Sequence, residues 1–230
     1  MSDWRPDQLP FDEDDFSGIA RLFPVPDLVL FPNVMQTLHI FEERYRALME
    51  DAIAGDELIA MALFEPGWET DYAGRPPLAP VACLGRVLTH HRFADGRFNL
   101  MLLGVRRLRL IEEIDPPQAF RRARVEVLPE RTPSDAPARR AKLLDALRRR
   151  LPASLLSSEQ MHDVLSRDLP LGVLTDLLGF TLPAPSSVKR TLLAEPDAGV
   201  RSTTLIDALE AGDLACAAEQ PWSPPAFSEN

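Results

Sequence analysis

The spacing of the hydrophobic residues changes once along this chain, and that single change restricts its fold class. From Leu22 to Leu128 the apolar residues come in short runs of strand length, punctuated by Gly and Pro. Beyond the stretch PERTPSDAP at 129–137 they recur with helical spacing. Leu143, Leu144, Leu147 and Leu151 form a stripe, while Arg139, Arg140, Lys142 and Arg148 to Arg150 cover the other faces. The expected fold is α+β: a β-rich subdomain with one helix, followed by a small α-helical bundle. The expected division is a flexible acidic arm at 1–18, the β-rich part at 19–128, a linker at 129–137, the bundle at 138–215 and a flexible tail at 216–230.

Within the first half, Leu22-Phe23-Pro24-Val25 and Val29-Leu30-Phe31-Pro32 read as short extended pieces at sheet edges or in turns, because proline removes an amide donor. Gln36 to Ile40 reads as a strand. Phe41, Tyr45, Leu48 and Ala52 share one face of a helix that Gly55 ends. Leu58 to Phe64 is a compact apolar strand, and 65–80 is a loop dense in Gly and Pro. Ala94-Asp95-Gly96 joins Val81–Arg92 and Phe98–Gly104 as a hairpin. Gly104 marks a bulge or bend before Val105–Ile114, and Ala123–Leu128 closes the strands. Ser134-Asp135 opens the helical half with the Leu143–Leu151 stripe, and further helices are expected at 158–167, 170–178, 187–194 and 199–211, with Ser186 or Ser187 capping the one at 187.

The formal net charge of -10 argues against nucleic acid as the main partner. No apolar run approaches the roughly 20 residues that span a bilayer, so no membrane partner is expected. The N-terminus lacks the apolar core of a signal peptide, which points to the cytoplasm. Cys83 and Cys216 belong to no C-x-x-C pair, so neither a disulfide framework nor a zinc knuckle is supported. His90 and His91, adjacent on a strand, would face opposite ways and not share a metal, and His39 reads as structural or surface. Phosphate-binding, zinc-protease and serine-hydrolase motifs are missing, so no catalytic residue and no cofactor is assigned. The arginines at 106, 107, 109, 121, 122 and 124 read as a solvated sheet face in preference to an anion strip. Trp68 and Tyr72, in the long loop, are either partner anchors or caps of the core.

Several stretches carry a family resemblance. Leu22 through Pro32, His39-Ile40-Phe41-Glu42-Glu43-Arg44-Tyr45 with Leu48, Cys83-Leu84-Gly85-Arg86-Val87, and Asp95 through Leu110 follow one another in the order of the N-terminal substrate-binding domain of Lon proteases. Asp168-Leu169-Pro170 and Lys189 to Asp197 resemble its helical part more loosely. The resemblance implies a β-rich pseudo-barrel (a PUA-like arrangement) followed by a helical bundle, used to recognise polypeptides. It also leaves Lon's ATPase and Ser–Lys peptidase residues without counterparts here, as in a stand-alone form. The cysteine pairs of the zinc-bearing cereblon branch are missing too.

The expected function is therefore a non-catalytic polypeptide-binding or adaptor module, its partner an unfolded or specific polypeptide. A stand-alone hydrolase without known motifs and a scaffold for one folded protein are the alternatives. An unfolded client offers backbone groups and scattered apolar side chains, which suit an open strand edge and an apolar groove. Phe31 and Met35 would flank such an edge near Pro24 and Pro32, with Trp68 and Tyr72 covering it. The other reading makes Phe31 core and the loop merely mobile.

Overall fold

The computed structural model describes residues 11–72, 74–114 and 118–214. The expected tail and Cys216 lie outside them, as does the arm up to residue 10. Among the described residues the strands are β1 (Ile19–Val25), β2 (Met35–Ile40), β3 (Leu58–Leu63), β4 (Val81–Arg92), β5 (Phe98–Ile114) and β6 (Arg121–Leu128). The helices are α1 (Glu43–Ala54), α2 (Ala136–Arg150), α3 (Ala153–Leu156), α4 (Glu159–Ser166), α5 (Leu171–Thr181), α6 (Ser186–Ala194) and α7 (Ala198–Ala211).

Five strands close into a barrel. β1 runs parallel to β3 and antiparallel to β6, while β3–β4, β4–β5 and β5–β6 pair antiparallel. Its interior is filled largely by small residues, Ala20, Ala60, Ala62, Ala82 and Ala123, around Leu22, Leu84 and Leu108. So few strands leave room for little else. β3 shows why Leu58–Leu63 is apolar at every position. Leu58, Ala60 and Ala62 point into the barrel, while Ile59, Met61 and Leu63 point outward into a second core shared with α1 and the bundle.

β2 stands outside this ring, paired only to the first half of β5. The bulge expected near Gly104 is present: Leu84 pairs with Arg106 and Gly85 with Gly104, which leaves Val105 extra. Gly104 is required by a close approach, because a Cβ there would lie 2.0 Å from the Phe31 carbonyl oxygen. Residues 29–32 consequently form no strand. Pro32 has no amide to give, and Asn33 turns with φ of 65°. The Asn33 amide then donates to the Gly104 carbonyl (2.8 Å), and the Gly104 amide donates to Val34 (2.9 Å).

Other expectations are corrected. Phe11 is buried at the barrel and packs on Phe16, so residues 11–18 are anchored by two aromatic rings. Neither Ser186 nor Ser187 caps α6. Pro185 occupies that position, and both serines lie inside the first turn. Arg107 does not belong to a solvated face, for it is buried against the bundle while Arg109 is exposed. The segment after β6 is held at Arg131, whose amide donates to Pro196 (3.0 Å) and whose carbonyl accepts from Ala198 (2.9 Å).

Candidate functional site

The loop between β3 and β4 carries a short 3-10 turn, Trp68–Asp71, and an isolated bridge ties its ends through Phe64 and Leu78. The turn brings Trp68 and Tyr72 onto Phe64. The Trp68 ring stacks on Phe64 at 5.4 Å between centroids, and Tyr72 meets both edge-on at 6.0 and 5.6 Å. Phe64 is buried, while Trp68 and Tyr72 are half-buried. Such rings offer a large apolar area with little side-chain freedom to lose.

The next contacts come from α1. The Tyr72 hydroxyl donates to Glu42 (2.8 Å), and the Arg44 guanidinium, paired with that same Glu42 (2.9 Å), lies 4.7 Å from the ring centroids of both Tyr72 and Tyr45. Burial, reinforced by the hydrogen bond to Glu42, pushes the Tyr72 phenol up. On the other side α6 closes against the loop. Arg190 pairs with Glu65 and donates to the Phe64 carbonyl (3.3 Å). A mostly apolar crevice of about 220 Å³ runs beside this contact, walled by Leu63, Ala79, Val81, Arg190, Leu193 and Ala194.

Of the four residues expected at a groove, the structure brings Trp68 and Tyr72 together and separates the others from them. Met35 opens β2 and is 45% exposed; Ile40, at the far end of that strand, is the end that leads to Glu42. Six residues of strand extend over roughly 17–20 Å. Phe31 has no exposed surface. Its ring fills the space left by Gly179 on α5, where an added Cβ would lie 3.2 Å from it, so it offers no surface to a client. Arg44, Phe64 and Arg190 are the members that sequence reading missed. Glu42 and Tyr72 meet from thirty positions apart, and no local spacing announces such a contact.

The histidines do not gather with these residues. The strand register sets His39 and His91 on either side of Asn99, and His39 Nδ1 lies 2.6 Å from the Asn99 amide oxygen. Cys83 is buried, and burial pushes its thiol up.

The small barrel with its appended bundle defines a fold class already seen in solved structures. The N-terminal domain of the Mycobacterium avium complex Lon protease superposes with a TM-score of 0.65 at 20% identity, covering 84% of this chain and 98% of that one. The Lon N-terminal domain protein from Xanthomonas campestris gives 0.59 at 21% identity, covering 82% and 97%. The family of the ATP-dependent protease La (LON) substrate-binding domain matches residues 19–211, and the chain belongs to that family. Curated relatives include the Lon proteases of Dictyoglomus thermophilum, 26% identical over 51% of this chain, and Cytophaga hutchinsonii, 21% identical over 89% of it. The chain spans 14% and 25% of the lengths of those two relatives.

Proposed function

We propose that this domain recognises extended polypeptides and performs no chemistry on them, acting as a substrate-selecting or adaptor module in the cytoplasm. The observation that carries this reading is the half-buried pair Trp68 and Tyr72, fixed on Phe64, whose carbonyl accepts from Arg190 at the wall of the apolar crevice under α6. Rigid aromatic anchors next to an apolar slot suit a client that presents scattered apolar side chains. The substrate-binding description of the family supports the same partner class. Met35 is a second contact in this proposal. It is exposed on a strand with a partner on only one side, and its flexible thioether adapts to varied surfaces. The acidic balance disfavours nucleic acid. Among the described residues no helix is long and apolar enough to cross a membrane.

The test is a titration of a fluorescently labelled, permanently unfolded protein against wild type, Trp68→Ala and Met35→Ala, each checked for folding by circular dichroism. Trp68→Ala is expected to weaken binding about tenfold or more, in the range of aromatic hot spots, and Met35→Ala by less. Folded variants that bind like wild type would remove these residues from the site. Turnover of casein with ATP, or of chromogenic esters, that survives repurification would instead favour a hydrolase.

A further inference from the structure

A second cavity, of about 190 Å³, lies where the barrel ladder opens between β1 and β6. The pairing of these strands ends at Leu22 opposite Arg121, two residues before Pro24. Pro24 has no amide to offer, and its carbonyl is taken by the Tyr45 hydroxyl at 3.3 Å. Tyr45 and Phe120 supply apolar wall, and Arg44, Arg75 and Arg121 line the same space from α1, the long loop and β6.

One atom in this cavity is out of balance. The side-chain oxygen of Gln118 is buried and has no hydrogen-bond partner among the described residues. Leaving such a group unmet is unfavourable, and native proteins keep few of them unless something else satisfies them. The guanidiniums are already oriented. Glu42 pairs with Arg44 (2.9 Å), and Glu113 pairs with both Arg75 (3.2 Å) and Arg121. Each guanidinium carries five N–H donors in a planar fork that matches a carboxylate. An amide and several guanidiniums around one small space suit a ligand that presents anionic oxygens and an N–H together. A polypeptide residue bearing a carboxylate has both. The volume, below that of drug-sized sites, suits one side chain. The Tyr72 ring, over Arg44, links this cavity to the aromatic strip.

We propose that the cavity lined by Arg44, Arg75, Arg121 and Gln118 reads a carboxylate on a bound polypeptide, from an acidic side chain or the chain's C-terminus. This rests on the polypeptide-binding reading above. Three labelled peptides of one apolar sequence test it: a free C-terminal carboxylate, a C-terminal amide, and the amide with one internal Glu. Each is titrated by fluorescence anisotropy into wild type, Gln118→Leu and Arg75→Gln. At least one carboxylate peptide should bind about tenfold tighter than the neutral amide; that margin should vanish in Arg75→Gln, whereas Gln118→Leu, which removes an acceptor for a peptide N–H, should weaken all three peptides. Whichever carboxylate peptide gains identifies the source. Equal binding of all three peptides by wild type, a margin that survives in Arg75→Gln, or unchanged binding by Gln118→Leu would overturn the cavity assignment and leave polypeptide binding intact. Binding of none of the three would overturn both readings.

Discussion

Arg107 on β5 and Asp176 on α5 form an ion pair with almost no solvent exposure, 2% and 0% for the two side chains. A second hydrogen bond joins Arg107 Nη1 to the other Asp176 oxygen at 3.3 Å, which makes the pair a fork on a fork. Arg201 on α7 approaches the same carboxylate at 3.5 Å, and Glu130 accepts from both arginines at 3.4 and 3.0 Å. Arg107 also donates to the Leu193 carbonyl at 3.0 Å. The barrel and the bundle are joined through this network as well as through a common apolar core.

Replacing Arg107 with Leu leaves Asp176, whose carboxyl is already pushed up by burial, with part of its compensation gone. The expected loss is about 3–5 kcal/mol of stability, because breaking one side of a buried pair strands the other. Arg109→Leu, two positions along the same strand, removes an exposed pair with Glu126 and should lose under about 1 kcal/mol. Urea denaturation of both variants checks this. Similar midpoints would show that the buried network is not what joins the two layers.

Alkaline pH should destabilise the protein through its two tyrosines. Burial pushes both phenols, Tyr45 and Tyr72, above the ordinary value of 10.0. The folded chain then keeps protons that the unfolded chain releases as pH rises past that value. With more protons bound in the folded state, stability is fully present below about pH 10 and falls above it. Tyrosinate absorbance of the native protein should therefore lag behind that of the unfolded protein. Coincident titration curves would contradict this.

A glutamate-specific endoprotease should cut the folded chain after Glu69 before it cuts after Glu130. Glu69 lies in the 3-10 turn of the long loop and is exposed. The backbone at Arg131 is bonded on both sides to residues 196 and 198, and Glu130 beside it holds the buried arginines. A protease needs several residues locally unfolded, so the bonded segment should resist longer. Mass spectrometry of early fragments reads the order. First cleavage after Glu130 would mean that the junction opens independently.

Much of the fold was legible from spacing alone. The Ala94-Asp95-Gly96 turn, the bulge beside Gly104 and the end of α1 at Gly55 follow from backbone rules that act over a few residues. Val29 to Pro32 was legible only as extended chain at a sheet edge or in a turn. Which of the two it takes is set by Gly104, far along the chain, where only a glycine lets the Phe31 carbonyl approach. The candidate site was legible only in two of its three aromatic rings. Trp68 and Tyr72 were conspicuous as rings in a polar loop, whereas Arg44, Arg190 and Gln118 resembled any other surface residue.

The sequence by itself determined the order of elements and the switch from strands to helices, because hydrophobic period and turn residues act locally. It also determined the family, through short motifs in a fixed order. Tertiary structure alone decided which members of an alternating arginine series are buried. Period two sets Arg107 and Arg109 on the same face of an ideal strand. Only the packing of α5 and α7 over one end of that face supplies the carboxylate that makes burying Arg107 tolerable, and leaves Arg109 in water.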